Sequence, residues 1–397
     1  MINLARRDVA NHLGRYLLTG FGLGLLIGVT LTMAGVYRGM VDDAKVLLRA
    51  GGADIWVVQQ DALGPFAEPS SLPDDAYRSI EGLAGVAETG NVAYLTMQVR
   101  RSGKDVRVMV AGYERGRPGG PPFLVAGRPI AQAHYEAVAD VKTGFAVGDR
   151  IAIRRNDYTV VGLTRRMVSS NGDPMVFIPI KDAQQAQFLK DNESIVNDRN
   201  RLAANPAVNR PGQSGVLRAV ESIQTSSHRI NAVLVRVKDG HEPRQVAADI
   251  KRWKHLTAYT NADMEEVLVA KLIATAARQI ALFLVILAIV SAAIVAFIIY
   301  TMTLGKIKEI AVVKLIGTRD RTIASMIMQE ALGLGFIGFF VGKFAATLWA
   351  PVFPKYVLLQ TNDAVVAFGL TLAICALASV LATRAALNLD PAEAIGG

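Results

Sequence analysis

Apolar residues occur in four long runs, and polar residues fill the segments between them. The runs lie at 17–37, 280–304, 326–350 and 364–383. A transmembrane helix needs about 20 predominantly apolar residues. The pattern therefore predicts a membrane α-helical protein with four transmembrane helices, a large extracytoplasmic domain at 38–279 inserted between the first two, and a short outer loop at 351–363.

Arginine residues flank the outermost apolar runs, at Arg6, Arg7, Arg15 and Arg384. Short segments rich in Lys and Arg stay on the cytoplasmic side of a membrane. Both termini are therefore predicted to be cytoplasmic. Residues 1–16 carry a helical apolar stripe, which predicts an interfacial helix on the inner leaflet, and residues 384–397 form a cytoplasmic tail.

A cleaved signal peptide is the alternative for the first apolar run. Signal peptides have an apolar core of about 7–15 residues, whereas this run extends over 17–37. A helical pattern also continues beyond it through Val36, Met40, Ala44 and Leu47. These features favour a retained transmembrane helix.

The composition agrees with four spans and one polar domain, because 51% of the residues are hydrophobic and the mean hydropathy is +0.30. The net charge of +9 is not gathered into a basic stripe interleaved with aromatic residues, so no nucleic-acid partner is predicted. The single cysteine, Cys375, lies in the last apolar run. An intrachain disulfide is therefore excluded, and the domain at 38–279 must be held by burial alone.

The domain at 38–279 shows a mixed α+β pattern. Alternating or apolar runs predict strands and hairpins at 54–58, 92–100 with 106–111, 150–154 with 158–163, 174–179 and 231–237. Residues 242–254 predict an amphipathic helix. Helical patterns at 36–48 and 263–277 predict stalk helices that continue the membrane helices outward, and Pro and Gly residues at 205–215 predict an internal linker.

The segment at 305–325 joins the second and third runs and is rich in charge. Its basic residues predict a cytoplasmic loop, and its mixed surface suits a helix that receives force from a soluble partner. The candidate ATPase-coupling residues are Lys306, Lys308, Glu309, Lys314, Gly317, Thr318, Arg319 and Arg321.

Three motifs carry a family resemblance. Lys308-Glu309-Ile310-Ala311-Val312, Lys314-Leu315-Ile316-Gly317 and Gln329-Glu330 before a Gly-rich helix resemble the permease signature of the FtsX/MacB superfamily. Asn3-Leu4-Ala5-Arg6-Arg7 and Asp390-Pro391-Ala392-Glu393-Ala394 extend the resemblance to the ends. Residues 148–184 resemble the MacB-type periplasmic core domain, and residues 51–57 resemble the DevC and HrtB branch.

The resemblance implies the four-helix permease of a mechanotransmitting (type VII) ABC transporter in the bacterial inner membrane, with its large domain in the periplasm. It implies an ABC ATPase as partner, a second copy of the chain or a similar permease, and in some systems a membrane-fusion adaptor and an outer-membrane channel. ATP and magnesium would be bound by the ATPase, so no cofactor is expected in this chain.

No phosphate loop occurs in the sequence. The nearest approach, from Gly338 to Lys343, has the wrong spacing and lacks the Ser or Thr that holds magnesium. The glycines Gly338 and Gly342 instead predict a helix-packing surface, as do Gly20, Gly24 and Gly28 in the first run, where a dimer contact is also a candidate role. The histidines show no metal-ligand spacing, and the chain is predicted to be non-enzymatic.

Lys343 is an unusual charge in the third run. Two interpretations stay open: its side chain extends to the outer headgroups, or it contacts a buried partner or substrate. The predicted function is export or extraction of a hydrophobic or amphipathic substrate. The alternatives are an FtsX-like signalling subunit that activates a cell-wall hydrolase, and a lipoprotein-releasing permease.

Overall fold

The computed structural model of the protein describes residues 13–68, 70–101, 103–187, 200–201, 203–206, 228–252, 256–353 and 355–387. The chain divides into two compact units. We call Met1–Met40 with Thr275–Gly397 the helical unit, and Val41–Ala274 the α+β unit.

The principal α-helices are α1 (Leu13–Ala50), α2 (Gly64–Ala67), α3 (Ala76–Glu81), α4 (Ile180–Gln187), α5 (Pro243–Lys251), α6 (Asn261–Val267), α7 (Ala274–Leu304), α8 (Ile307–Leu315), α9 (Asp320–Trp349) and α10 (Thr361–Leu387). The strands are β1 (Ile55–Gln59), β2 (Leu72–Pro73), β3 (Val86–Arg101), β4 (Lys104–Tyr113), β5 (Ala126–Gly127), β6 (Glu136–Asp140), β7 (Arg150–Ile153), β8 (Asn156–Thr164), β9 (Met175–Pro179), β10 (Arg229–Ile230), β11 (Ala232–Val237) and β12 (Leu256–Thr260).

Four helices of the described residues are long and apolar enough to cross a membrane. They cover Tyr16–Ala50, Ala276–Leu304, Asp320–Val352 and Thr361–Arg384. Each contains one of the four apolar runs of the sequence. A helix satisfies all of its backbone hydrogen bonds internally, which is the condition for crossing lipid. The position of these helices in a bilayer and the side on which the termini lie stay predictions.

The helical unit has a core of its own, built where α1, α7, α9 and α10 meet. Its buried residues include Leu23, Ile27, Ile299, Ile327, Leu334, Phe339, Cys375 and Ala378. Phe339 of α9 stacks at a tilt on Phe368 of α10, with ring centroids 4.9 Å apart. In lipid such close packing, rather than the hydrophobic effect, holds helices together.

The α+β unit is built on a ten-stranded mixed sheet in the order β12-β1-β11-β3-β4-β9-β6-β8-β5, with β7 paired to β8. The pairs β4–β9 and β6–β8 are parallel. Alternate residues of β4 belong to two different clusters, since Val108 and Val110 join one core and Met109 and Ala111 join the other. Successive side chains of a strand point to opposite faces, so this part of the sheet is buried on both sides.

The hairpins predicted from the sequence are present, with small changes. β3 pairs antiparallel with β4, and β7 pairs antiparallel with β8. The second turn is shorter than the predicted one, because Ile153 already pairs with Asn156 and Arg154 takes a positive φ of 58°. Strands β6 and β12 were not predicted.

The helical pattern at 263–277 corresponds to three consecutive elements. α6 begins with a capping box between Thr260 and Asp263, continues as a π-helix at Leu268–Ile273 and is followed by α7. Within the α+β unit, Glu265 of α6 pairs with Lys45 of α1 at 2.7 Å. The two stretches predicted as stalk helices are therefore helical and are joined by an ion pair.

The segment predicted as one coupling helix at 305–325 is divided into α8, a turn and the start of α9. Gly317 ends the first part, since it adopts a left-handed φ of 94° that side-chain-bearing residues rarely take. Three predicted features lie wholly or mostly outside the described residues. They are the interfacial helix, of which 1–12 are not described, the linker, of which 207–215 are not described, and the C-terminal motif at 390–394.

Candidate functional site

α8 is a short helix whose ends are fixed by its own sequence. Gly305 and Lys306 close the end of α7, and the backbone NH of Gly317 donates to Lys314 O at 3.0 Å beyond the end of α8. α9 then begins at Asp320, an acidic residue in its first turn. A negative charge there is favourable because the amino end of a helix carries partial positive charge.

α8 has two chemically different faces. Ile310 and Ala311 are buried, and they anchor the helix to the helical unit. On the opposite side Val312, Leu315 and Ile316 are 48%, 66% and 80% exposed. We define the α8 outer face as these three residues with the exposed charged residues Lys308 and Glu309. Large apolar side chains that share one exposed face with charges are typical of a contact with another protein or with a membrane surface.

Lys306 does not belong to that outer face. Its side chain is buried at 7% exposure, and its Nζ donates to Glu330 Oε2 at 2.9 Å and to Tyr16 Oη at 3.0 Å. The ammonium also lies 5.4 Å from the centroid of the Tyr16 ring. We call Tyr16, Lys306 and Glu330 the buried polar cluster. It joins α1, the start of α8 and α9.

An apolar shell surrounds the buried polar cluster. Ile299 and Met302 of α7 and Ile327, Ala331 and Leu334 of α9 line the small space beside Tyr16 and Glu330. Removing one partner of such a buried ion pair leaves an uncompensated charge, which costs about 3–5 kcal/mol. Lys306 and Glu330 therefore depend on each other, and the start of α8 is bonded to α1 and to α9.

The predicted helix-packing glycines form a seam between α1 and α9 of the same chain. A Cβ placed on Gly24 would lie 2.6 Å from Val341, and one on Gly342 would lie 2.5 Å from Gly24 O. Gly20, Gly28 and Gly338 are similarly enclosed by Ile337, Trp349 and Leu23. The seam accounts for these glycines without a second chain, and a dimer contact there stays a prediction.

The other predicted coupling residues lie at the same end of the helical unit. Lys308, Glu309, Gly317, Arg319 and Arg321 are exposed. Lys314 and Thr318 are half-buried, and Lys314 Nζ lies 4.0 Å from Asp320.

Sequence reasoning missed Tyr16, and it used Glu330 only as part of a motif. A carboxylate in the apolar pattern of α9, with a lysine at the end of α7, is the signal that could have found the pair.

Lys343 lies on α9 away from the cluster. Its side chain is exposed, and its backbone carbonyl accepts a hydrogen bond from Thr347 Oγ1 at 2.9 Å. Among the residues that the structure describes, its ammonium has no ion-pair partner. A buried ion pair of Lys343 is thus not observed among the described residues, and contact with outer headgroups or with a substrate stays a prediction.

The α+β unit holds several buried carboxylates, and each has a structural partner. Arg128 hydrogen-bonds the Glu136 carboxylate and lowers its pKa to about 2, with help from the backbone NH groups of Gln132 and Ala131. Asp140 accepts from the backbone NH groups of Lys142 and Met167 at 2.8 and 2.7 Å.

Burial nevertheless raises the pKa of Asp140. No group of His, Cys, Asp and Glu among the described residues could hold a metal ion.

Two known protein families match this chain. Residues 16–253 match the family of MacB-like periplasmic core domains, and residues 281–391 match the C-terminal family of FtsX-like permeases. The chain belongs to the MacB/FtsX family of ABC transporter permeases. It is thus a transporter subunit that works with an ATPase, as the sequence motifs predicted.

Relatives that match over the whole of this sequence are known. Two proteins of Mycobacterium tuberculosis, each described as an uncharacterised ABC transporter permease, are 24% identical over 397 residues, which is 100% of either chain.

Two solved structures also resemble this MacB/FtsX permease. The periplasmic region of MacB from Actinobacillus actinomycetemcomitans matches 55% of this chain and 94% of its own, with 10% identity and a TM-score of 0.35. The extracellular domain of the noncanonic ABC-type transporter YknZ from Gram-positive bacteria matches 51% and 100%, with 11% identity and a TM-score of 0.30.

Proposed function

We propose that this permease transmits the motion of a bound ATPase to its α+β unit and thereby exports or extracts a hydrophobic or amphipathic substrate. The observation that carries the proposal is the pairing of the α8 outer face with the buried polar cluster. One side of α8 offers Val312, Leu315 and Ile316 to a partner. The other end of the same segment is bonded to α1 and α9 through Lys306.

The path of motion follows from the connections of α1. Tyr16 bonds to Lys306 near one end of α1, and the helix continues without a break from Leu13 to Ala50. A helix of this length is stiff along its axis, since each residue is hydrogen-bonded to the next turn. A push on α8 would therefore reach residues 41–50 of α1, which belong to the α+β unit.

The sites for nucleotide and for transport would be separate. In this proposal ATP and magnesium are bound by the partner ATPase, and α8 with the turn at Gly317 forms its docking surface on the cytoplasmic side. The permease acts as a pair, with a second copy or a similar chain. The family match over 16–253 supports export over the signalling alternative, because that domain family is the MacB-like one.

The test is disruption of the α8 outer face. Leu315→Asp with Ile316→Asp places two charges where a partner would pack, without touching the buried side of α8. We expect the variant to reach the membrane at normal levels, and to bind its partner ATPase at least tenfold more weakly in a pull-down from detergent. Substrate-dependent ATP hydrolysis in proteoliposomes should fall to the level of the ATPase alone.

The matched control is Val147→Asp, which makes the same kind of change at an exposed apolar residue of the α+β unit. Its ATPase binding should equal that of the unaltered permease. Normal ATPase binding and hydrolysis by the Leu315→Asp, Ile316→Asp variant would remove α8 from the docking surface.

A further inference from the structure

A pocket of about 250 Å³ lies at the end of the helical unit opposite the buried polar cluster. Leu31 of α1, Ala346 of α9 and Ala364 of α10 form apolar walls, and Leu358 and Leu359 close one side. Lys343 also lines it. The pocket therefore combines apolar walls with one cation.

The segment that closes the pocket is held firmly against α1. The backbone NH of Leu358 donates to Gly35 O at 2.9 Å. Glycine is required at both contact points, since a Cβ on Gly35 would lie 2.6 Å from Val357 and one on Gly39 would lie 1.9 Å from Tyr356 O. The wall is thus a built part of the fold.

The charges around the pocket leave it positive. Asp363, its only carboxylate among the lining residues, accepts two hydrogen bonds from the Arg38 guanidinium at 3.0 and 3.2 Å. That pair is neutral overall. The Lys343 ammonium has no such partner in the described part of the chain, so an anion entering the pocket meets one uncompensated positive charge.

The depth of Lys343 suits a lipid headgroup. It precedes Trp349, the last residue of α9, by six residues, or about 9 Å at 1.5 Å per residue. Tryptophan is enriched at the membrane–water interface, and a lysine near a helix end extends its charge toward that interface. Ligand pockets for drug-sized molecules measure about 300–1,000 Å³. This smaller pocket fits a headgroup and the first part of a chain.

We propose that this pocket binds the phosphodiester headgroup of an anionic phospholipid from the outer leaflet, with Lys343 as its charge partner and Gln360 and Thr361 at its polar rim. The proposal rests on the orientation in the proposed function, in which this end of the helices faces outward. A lipid held there contacts α1, α9 and α10 together. Anionic phospholipids are thus the class of amphiphile that this end of the permease recognises.

The experiment measures lipid retention by the full-length permease. The protein is reconstituted in nanodiscs of phosphatidylcholine with a titrated fraction of phosphatidylglycerol, and retained lipids are counted by native mass spectrometry. We expect one phosphatidylglycerol per chain to be retained. Lys343→Met should weaken this binding about tenfold, whereas Lys343→Arg, which keeps the charge, should stay within twofold. Lys355→Met removes an exposed cation of the segment between α9 and α10 and should also stay within twofold.

Several outcomes would overturn the proposal: equal retention by Lys343→Met, an equal loss in Lys355→Met, equal retention of phosphatidylcholine, or displacement of the lipid by glycerol 3-phosphate alone. The last would assign the site to a free anion. The Leu315→Asp, Ile316→Asp variant should retain the lipid, because its change lies at α8. Loss of ATPase binding in that variant therefore tests the proposed function separately from the lipid site.

Discussion

Lys306 and Glu330 form an ion pair of 2.9 Å inside the helical unit, where their side chains are only 8% and 10% exposed. They are separated by 24 residues along the chain, and one precedes α8 whereas the other lies within α9. The pair fixes the start of α8, the helix to which we assign ATPase docking, to α9. It distinguishes Lys306, which is buried, from the predicted coupling residues whose side chains are exposed.

The first prediction concerns the stability of this pair. Lys306→Met alone should leave the Glu330 carboxylate buried without its cation. Glu330→Gln alone should leave the Lys306 ammonium buried without its carboxylate. Each single variant should lose about 3–5 kcal/mol of stability. The double variant Lys306→Met, Glu330→Gln should recover at least half of that loss. Thermal unfolding in detergent measures the cycle, and losses that simply add would contradict a direct bond.

The second prediction separates stability from coupling. The double variant keeps the helices packed but no longer bonds α8 to Tyr16. We expect it to bind the ATPase normally and to lose most transport per ATP hydrolysed. Tyr16→Phe removes one hydrogen bond, worth about 1 kcal/mol, and should show a milder form of the same defect. Full transport by the double variant, assayed in proteoliposomes, would show that the pair only stabilises the fold.

The third prediction concerns the glycine seam. Gly24→Leu would push a side chain into Val341 and the backbone of Gly338, so it should lower the thermal unfolding temperature and part α1 from α9. Gly22→Leu is the matched control, because Gly22 is exposed and has nothing within 4 Å of its added Cβ. Both variants keep α1 apolar enough to insert. Equal unfolding temperatures for the two would argue against the seam.

The sequence identifies the elements whose pattern is local. The hairpin of β3 and β4 was predictable because alternating residues flank Ser102-Gly103-Lys104. Strand β6 was not, since it begins with Glu136 and ends with Asp140, and acidic residues are typical of exposed segments. Both carboxylates are buried here because Arg128 and four backbone NH groups satisfy them. Most of these partners lie within eight residues of their carboxylate, in irregular segments, and Met167 lies 27 residues from Asp140. Neither arrangement leaves a periodic signal in the sequence.

The contacts of the candidate site could likewise be predicted only in part from the sequence. The charges of 305–325 predict a cytoplasmic loop, and the motifs around Glu309 and Gly317 point to the family. The inward direction of Lys306 depends on where Glu330 lies after α9 has packed against α1. A count of basic residues cannot distinguish a lysine that faces a partner from one that faces a carboxylate.

The fourth prediction tests topology. In a Cys375→Ala background, Val147→Cys and Ile316→Cys place one exposed thiol in each unit, since both native side chains are exposed. An impermeant maleimide added to intact spheroplasts should label the thiol at 147 and leave the one at 316 unlabelled. Lysed cells should label both, which controls for accessibility. Labelling of the thiol at 316 from outside would contradict the predicted cytoplasmic position of α8.

The fifth prediction is a pH dependence of the α+β unit. The hydrogen bonds from Arg128 lower the pKa of Glu136 from 4.5 to about 2. A carboxyl group with a lowered folded-state pKa stabilises the fold fully above its unfolded pKa, and this stability is lost as the pH falls from about 4.5 toward 2. We expect a loss of about 2 kcal/mol over that window. This is less than the full change in pKa implies, because Arg128 is half-exposed and solvent screens its charge.

Urea denaturation of the full-length protein in detergent, followed by the fluorescence of buried Trp56, measures this dependence. Glu136→Gln cannot ionise, so it should already be less stable at pH 6. Between pH 5 and pH 3 it should lose about 1 kcal/mol less than the unaltered protein, because this interval covers about half of the titration window. Asp105→Asn changes an exposed carboxylate and should leave the slope unaltered. If Glu136→Gln loses stability as steeply as the unaltered protein, the acid sensitivity arises from other carboxylates and the Arg128 pair contributes little.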